Sequence, residues 1–327
     1  RGHLTRGRDG GPAQMARRGG ILASWRRQRG SRGFVAVRDA APANRSMPEG
    51  PEIRRAADRI ASAIEGEVVD EAYFAFDALK PWQTRLRGKR VWRVEPRGKA
   101  LLIRFEDGPT MYSHNQLYGR WFVRERGLLP QTRRQLRAAI HTRRSSALLY
   151  SASEIDVLDD DDLAVHPYLS RLGLDLLAEG ITPTQVRRRL EDPRFRRRML
   201  GGLLLDQGFL GGVGNYLRSE ILYYAGIDPD RRPLDLDDDE RLRFARAALT
   251  VTRRAYRTRG VTREPRYAER KRRQGRPRRE YRYYVFGRAG LDCPRCGDTI
   301  VKRTVAGRRL YRCPACQPAA SGLGSKR

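Results

Sequence analysis

The chain holds only four cysteines, and they fall as two Cys-x-x-Cys pairs: Cys293-Pro-Arg-Cys296, then sixteen residues, then Cys313-Pro-Ala-Cys316. Two such knuckles bring four thiolates into the tetrahedron that zinc prefers, so the spacing predicts a four-cysteine zinc ribbon rather than a disulfide scaffold. No cysteine is left for a separate disulfide, which fits a reducing compartment. Between the knuckles, Thr299–Thr304 and Arg309–Arg312 read as two strands around Ala306-Gly307, a hairpin with a basic tip. A closed four-thiolate site has no open coordination position, so this zinc is expected to be structural. Chemistry near it must come from the hairpin tip, where Arg308 is the candidate.

The rest of the chain divides by pattern. At 327 residues it exceeds the usual size of one core, so two or three domains are expected. No apolar stretch approaches the roughly 18 residues of a membrane span, and no membrane partner is expected. Residues 1–46 carry eleven Arg against two Asp with no sustained apolar period, and read as a disordered, non-native extension. They leave +21 of the formal +30 to the remainder, a charge that concentrates polyanions and points to nucleic acid.

From Pro51 on, Ile53, Ala56, Ala57, Ile60 and Ile64 recur at helical spacing and Gly66 ends the run. Val91–Val94, Ala100–Phe105, Thr110–Ser113, Arg120–Arg124 and Ala147–Ser151 are short and strand-like, so 67–152 reads as an all-β sandwich or barrel. Beyond Glu154 the chain reads as helical, with a Thr182-Pro183 start and apolar periodicity through Leu203–Ala225 and Leu242–Tyr256. Residues 261–280 read as a mobile basic loop, Tyr281–Phe286 as a packed strand, and Gln317–Arg327 as a frayed tail. Neither a Walker loop nor a dinucleotide fingerprint is present, so no nucleotide cofactor is expected.

Pro48-Glu49-Gly50-Pro51-Glu52 admits two readings. One is a turn at a helix start. The other is chemical: if Met47 begins the working protein and is removed, Pro48 becomes a secondary amine that can attack C1′ of a damaged nucleotide, with a carboxylic acid beside it to supply a proton. With residues attached before it, that nitrogen is an amide and cannot react. Gln116-Leu117-Tyr118 reads either as a strand end or as a wedge that props open a helix from which a base has left. Asn215, in Gly-Gly-Val-Gly-Asn, reads either as a left-handed turn residue or as a phosphate ligand at a helix N-terminus.

Collinear segments decide among these. Pro48-Glu-Gly-Pro-Glu-Ile-Arg-Arg-Ala-Ala-Asp58, Arg97-Gly-Lys-Ala-Leu101, Tyr112-Ser-His-Asn-Gln-Leu-Tyr-Gly119, Leu204-Leu-Asp-Gln207, Gly214-Asn-Tyr-Leu-Arg218 and the four cysteines occur in order. Over Met47–Gln317 the chain resembles the formamidopyrimidine-DNA glycosylase/endonuclease VIII family, and most of all its bacterial endonuclease VIII branch.

The resemblance implies an α+β multidomain fold: a catalytic N-terminal helix and β-sandwich over 48–172, a helix–two-turns–helix domain over 173–285, a zinc ribbon over 286–317 and a tail over 318–327. It implies a bifunctional glycosylase and apurinic/apyrimidinic lyase acting on damaged duplex DNA, chiefly on oxidised pyrimidines, by β,δ-elimination. Pro48 is then the Schiff-base nucleophile, Glu49 the general acid and Glu52 its support. Lys99 and Arg308 become lesion-phosphate contacts that assist the eliminations. Gln116, Leu117 and Tyr118 become the wedge, and Arg171 and Asn215 phosphate contacts. One structural zinc on Cys293, Cys296, Cys313 and Cys316, no catalytic metal, a monomer and a bacterial cytoplasmic, nucleoid-associated location complete the expectation. Gly50 stands where the purine-preferring branch usually has Leu, which favours pyrimidine lesions.

Overall fold

The computed structural model describes residues 47–319. The extension read over 1–46 and the end of the tail, 320–327, lie outside the described residues. Among the described residues no helix is long and apolar enough to cross a membrane.

Helix α1 (Gly50–Ile64) opens with Pro51 in its first turn, where a missing N–H costs nothing. Ile53, Ala56, Ala57, Ile60 and Ile64 form its buried face, as their spacing predicts. Then come β1 (Glu71–Phe74), α2 (Pro81–Arg85), β2 (Val91–Arg97), β3 (Ala100–Phe105), β4 (Thr110–His114), β5 (Arg120–Glu125), β6 (Leu136–His141), β7 (Ser145–Tyr150) and β8 (Glu154–Leu158). They make two four-stranded antiparallel sheets, ordered β1-β6-β7-β5 and β2-β3-β4-β8. Strand alternation divides β3 between two clusters. Leu101, Ile103 and Phe105 join the core that α1 shares with both sheets, while Ala100 and Leu102 pack with Tyr112 on the other face.

The helical part holds α3 (Asp160–Val165), β9 (Leu174–Asp175), α4 (Pro183–Glu191), α5 (Leu200–Leu203), β10 (Leu210–Gly211), α6 (Asn215–Ala225), α7 (Asp238–Arg257), α8 (Pro265–Arg273) and α9 (Arg278–Tyr281). Thr182 with Gln185 and Asp237 with Glu240 cap α4 and α7 reciprocally, and left-handed Gly226 ends α6. Strands β11 (Val301–Val305) and β12 (Arg308–Arg312) pair around Ala306 and Gly307, both at positive φ, as a two-residue hairpin turn requires. The ribbon has no separate core: Ile300, Leu310, Cys293 and Cys313 belong to the cluster built on Tyr216, Leu217, Ile221 and Phe244 of the helices.

Three expectations need correction. The chain does not turn helical at Glu154, because β8 first completes the second sheet against β4. Residues 261–280 are not a structureless loop but carry α8 and α9. Helix α8 buries none of its side chains, so no apolar period announces it; Pro265 starts it, and Glu269 pairs with Arg272 and Arg273 one turn on. Tyr281–Phe286 is not a strand either. The amides of Tyr284, Val285 and Phe286 donate to the buried Glu220 carboxylate at 2.8, 2.9 and 2.9 Å, so one side chain replaces a strand partner.

Candidate active site

The site assembles where α1 meets α6. Glu52, in the first turn of α1, accepts the Glu49 N–H at 3.1 Å. The Glu49 carboxylate reaches the N-terminus of α6, accepting from Gly214 at 2.9 Å, Tyr216 at 2.7 Å and Leu217 at 3.1 Å. A helix N-terminus offers unpaired amides and a partial positive charge, so it is a fitting seat for a carboxylate. The seat needs glycine: a Cβ on Gly214 would lie 2.4 Å from Glu49 Cδ. Beside it, Gly50 donates to the Gly212 carbonyl at 2.8 Å. Tyr216 also donates its hydroxyl to Glu52 at 3.1 Å, so one residue holds both carboxylates.

Glu49 is 1% exposed. Burial, helped by the charge of Glu52, raises its pKa to about 7 against the opposing pull of Lys99 and the α6 amides. The group is therefore poised to hold or release a proton near neutrality. Lys99 lies in the two-residue turn between β2 and β3. Its N–H donates to the Tyr168 hydroxyl oxygen at 2.8 Å, and the Gly98 N–H donates to the Asp175 carboxylate at 2.7 Å. Burial first, then the charge of Arg308, lowers the Lys99 pKa to about 8, while Glu49 opposes them. Glu49 and Arg308 thus both lie within electrostatic reach of Lys99.

Arg308 is exposed at the ribbon tip, and a buried arginine holds that tip in place. Arg218 of α6 is fully buried and donates to the carbonyls of Gly201 at 2.8 Å, Val305 at 3.2 Å, Arg308 at 3.3 Å and Arg309 at 3.2 Å. It also donates to Asn215 Oδ1 at 2.6 Å, while Asn215 Nδ2 donates to the Arg309 carbonyl at 2.9 Å. Asn215 is the first residue of α6 and not a left-handed turn residue.

The segment 116–118 lies in the turn between β4 and β5. Leu117 and Tyr118 are 40% and 54% exposed. Gln116 is held by Glu154 at 2.8 Å and Ser153 at 3.0 Å. Gly119 is required because a Cβ there would sit 2.6 Å from Asn115 Cα. Pro48 is half-buried directly before Glu49. Arg171 is exposed and makes no ion pair among the described residues, so nothing joins its side chain to the others.

The four cysteine sulfurs converge within 4.8 Å of one another. Neighbouring pairs lie 3.8, 3.5 and 3.4 Å apart. A tetrahedron of zinc–sulfur bonds of about 2.3 Å has an edge of about 3.8 Å. Tyr223 Oη sits 3.2 Å from Cys293 Sγ, the kind of outer contact that orients a ligand. The cluster fits one structural zinc ion.

Sequence reasoning does not single out Tyr168, Asp175, Tyr216 or Arg218. Tyr216 and Arg218 lie inside the Gly214–Arg218 motif, which is the signal that points to them; Tyr168 and Asp175 carry no local signal.

Comparison with known proteins identifies the family and the fold. Residues 47–153 match the formamidopyrimidine-DNA glycosylase N-terminal domain and residues 172–265 the formamidopyrimidine-DNA glycosylase H2TH domain. Endonuclease 8 of Salmonella schwarzengrund is 47% identical over 271 residues, 83% of this chain and 100% of that protein. Endonuclease 8 of Klebsiella pneumoniae is 46% identical over the same coverage. Among solved structures, Lactococcus lactis Fpg in complex with abasic-site DNA shares the fold with a TM-score of 0.67 at 19% identity, covering 83% of this chain and 100% of that one.

Proposed function

The chain belongs to the formamidopyrimidine-DNA glycosylase family, and from that premise we propose that it is a DNA glycosylase and apurinic/apyrimidinic lyase that removes oxidised bases, chiefly pyrimidines, from duplex DNA. The observation that carries this reading is the Glu49 seat: a buried carboxyl held by the α6 amides directly after Pro48, with Lys99 in electrostatic reach of it and Arg308 in reach of Lys99.

The chemistry follows from those groups. With Pro48 as a terminal secondary amine, its nitrogen lone pair bonds to C1′ as Glu49 delivers a proton to the sugar oxygen or the departing base, and the bond from C1′ to the base breaks. Ring opening leaves an iminium that withdraws electrons from C2′. Loss of a C2′ proton expels the 3′ phosphate (β-elimination), and loss of a C4′ proton then expels the 5′ phosphate (δ-elimination). Lys99 and Arg308 hold the lesion phosphate and stabilise the charge that develops on it. Glu52, tethered by Tyr216 and the Glu49 amide, supports the proton transfers. Asn215 and Arg171 contribute phosphate contacts, and Gln116, Leu117 and Tyr118 fill the gap left by the everted nucleotide. The reading requires translation or processing that exposes the Pro48 amine, and the family match begins at residue 47. Zinc bound by the four cysteines stiffens the ribbon that carries Arg308.

Competition between dihydrouracil and 8-oxoguanine duplexes tests the lesion class. Faster excision of dihydrouracil, with phosphates on both sides of the gap, is expected; faster release of 8-oxoguanine would reverse the assignment.

A further inference from the structure

Many of the surface arginines of this chain sit beside a carboxylate: Arg187 by Glu191 and Asp238, Arg194 by Asp192, Arg232 by Asp235, Arg303 by Asp230. Four others form no such pair. Arg59 on α1, Arg120 at the start of β5, Arg259 after α7 and Arg278 at the start of α9 are exposed, and none makes an ion pair among the described residues. The acidic residues of the α8–α9 segment pair with other arginines: Glu264 with Arg254, Glu269, which lines one cavity with Arg259 and Arg278, with Arg272 and Arg273, and Glu280 with Arg276.

These four come from four separate parts of the chain: Arg120 and Arg259 lie within electrostatic reach of Arg59, and Arg278 reaches the backbone of Arg259. Burial, then Arg55, Arg120 and Arg259, pushes the Arg59 guanidinium below its ordinary pKa against the opposing charge of Asp58. Burial, then Arg282, does the same to Arg278, with Arg55 adding to it. Arg278 also donates to the Arg259 carbonyl, which fixes α9 against the end of α7. At Gly260 the cluster borders the candidate site: a Cβ there would lie 2.9 Å from Glu52 Oε1, 3.3 Å from Arg282 Nη2 and 3.6 Å from Arg278 Nη2. At the other end Arg120 stands two residues after Tyr118, stacked 4.8 Å over the Phe122 ring.

We infer that Arg59, Arg120, Arg259 and Arg278 form a phosphate-binding belt that grips the DNA backbone beside the wedge, with α8 and α9 as the scaffold that sets its far end. Unpaired like charges held this close repel one another. Duplex DNA removes that cost, since it presents a charge about every 1.7 Å and guanidinium forks match phosphate oxygens. An acidic protein partner is the poorer fit, because the belt ends beside the exposed Leu117 and Tyr118 that the proposed function seats in the duplex. The inference rests on DNA as the partner in the proposed function, but not on excision.

The test is the salt dependence of binding of the full chain to an undamaged duplex, between roughly 50 and 200 mM salt. At about 0.9 per phosphate, Arg59→Ser/Arg259→Ser/Arg278→Ser is expected to flatten the slope of log K against log salt by about 2–3. Arg120→Ser alone, which disturbs no packing between helices, is expected to flatten it by about 1. A control, Arg187→Ser/Arg241→Ser/Arg243→Ser, removes the same charge near the far end of α7, about 25–30 Å away along that helix at about 1.5 Å per residue. It is expected to keep the wild-type slope. Unchanged slopes in the triple and in Arg120→Ser would overturn the belt, and so would equal flattening in the control. Undamaged duplex needs no catalysis, so a chain that fails to excise leaves this result readable, and a failed belt leaves excision standing.

Discussion

Glu49 is one residue asked to do two things. Its carboxyl clasps the amides of α6 and, by the proposed mechanism, it delivers a proton. Burial raises its pKa to about 7, so the acid form is present below that value and is lost as pH rises through it. Excision by the chain starting at Pro48 is therefore expected to fall above about pH 7, and a pH–rate profile checks this. Glu49→Gln should lower the rate on the order of 10²–10⁴-fold and remove that limb of the profile. A limb that persists in Glu49→Gln would assign it to another group. Stability follows the same sign: a folded carboxyl pKa above the ordinary glutamate range contributes most at acid pH, and that contribution is lost as pH rises through about 7. Motifs make Pro48, Glu49 and Lys99 legible in the sequence. They do not show that the partners of Glu49 are the amides of Gly214, Tyr216 and Leu217, because that contact spans 165 residues or more and involves backbone groups that every non-proline residue has.

At the scale of elements, α6 is the common support. Its N-terminus holds Glu49, and its Arg218 holds the backbone of the β11–β12 hairpin that carries Arg308. Removing that arginine takes a donor from the Val305 and Arg308 carbonyls, at a cost of about 1–3 kcal/mol each where they stay buried, while the Arg309 carbonyl keeps the Asn215 amide. Arg218→Met is expected to retain base release while δ-elimination falls on the order of 10²-fold, because the tip that aims Arg308 is loosened. Gel analysis would show 3′ ends stalled at the unsaturated aldehyde; equal loss of base release and δ-elimination would contradict the separate role. Strong periodicity makes α1 and α7 readable, and paired cysteines make the hairpin readable. Helix α8 is not, because it is held by Glu269 and its arginines rather than by an apolar face. Strand β8 is not, because Glu154–Leu158 has few residues and lies directly before the acidic start of α3.

At the scale of the molecule, the ribbon and the helices share one core, so zinc bound by the four cysteines should stabilise more than its own knuckles. Chelation is expected to lower the melting temperature of the helical part along with the ribbon, in one cooperative transition followed by circular dichroism. A ribbon that melts alone while the helical signal is unchanged would show that the two are independent. Net charge announces a polyanion from composition alone, but the placement of that charge around the site depends on tertiary packing that composition does not encode. The central claim is that the Pro48 amine attacks the sugar. Borohydride trapping on an abasic duplex tests it most directly, using the chain that begins at Pro48, its Pro48→Gly variant, and the same chain with residues 1–47 attached. A covalent protein–DNA adduct is predicted for the first, formed through Pro48, with none when its nitrogen is an amide and one attached through the new terminal amine with glycine in its place; an undiminished adduct from the extended chain, with its amino terminus confirmed intact by mass spectrometry, would contradict the account.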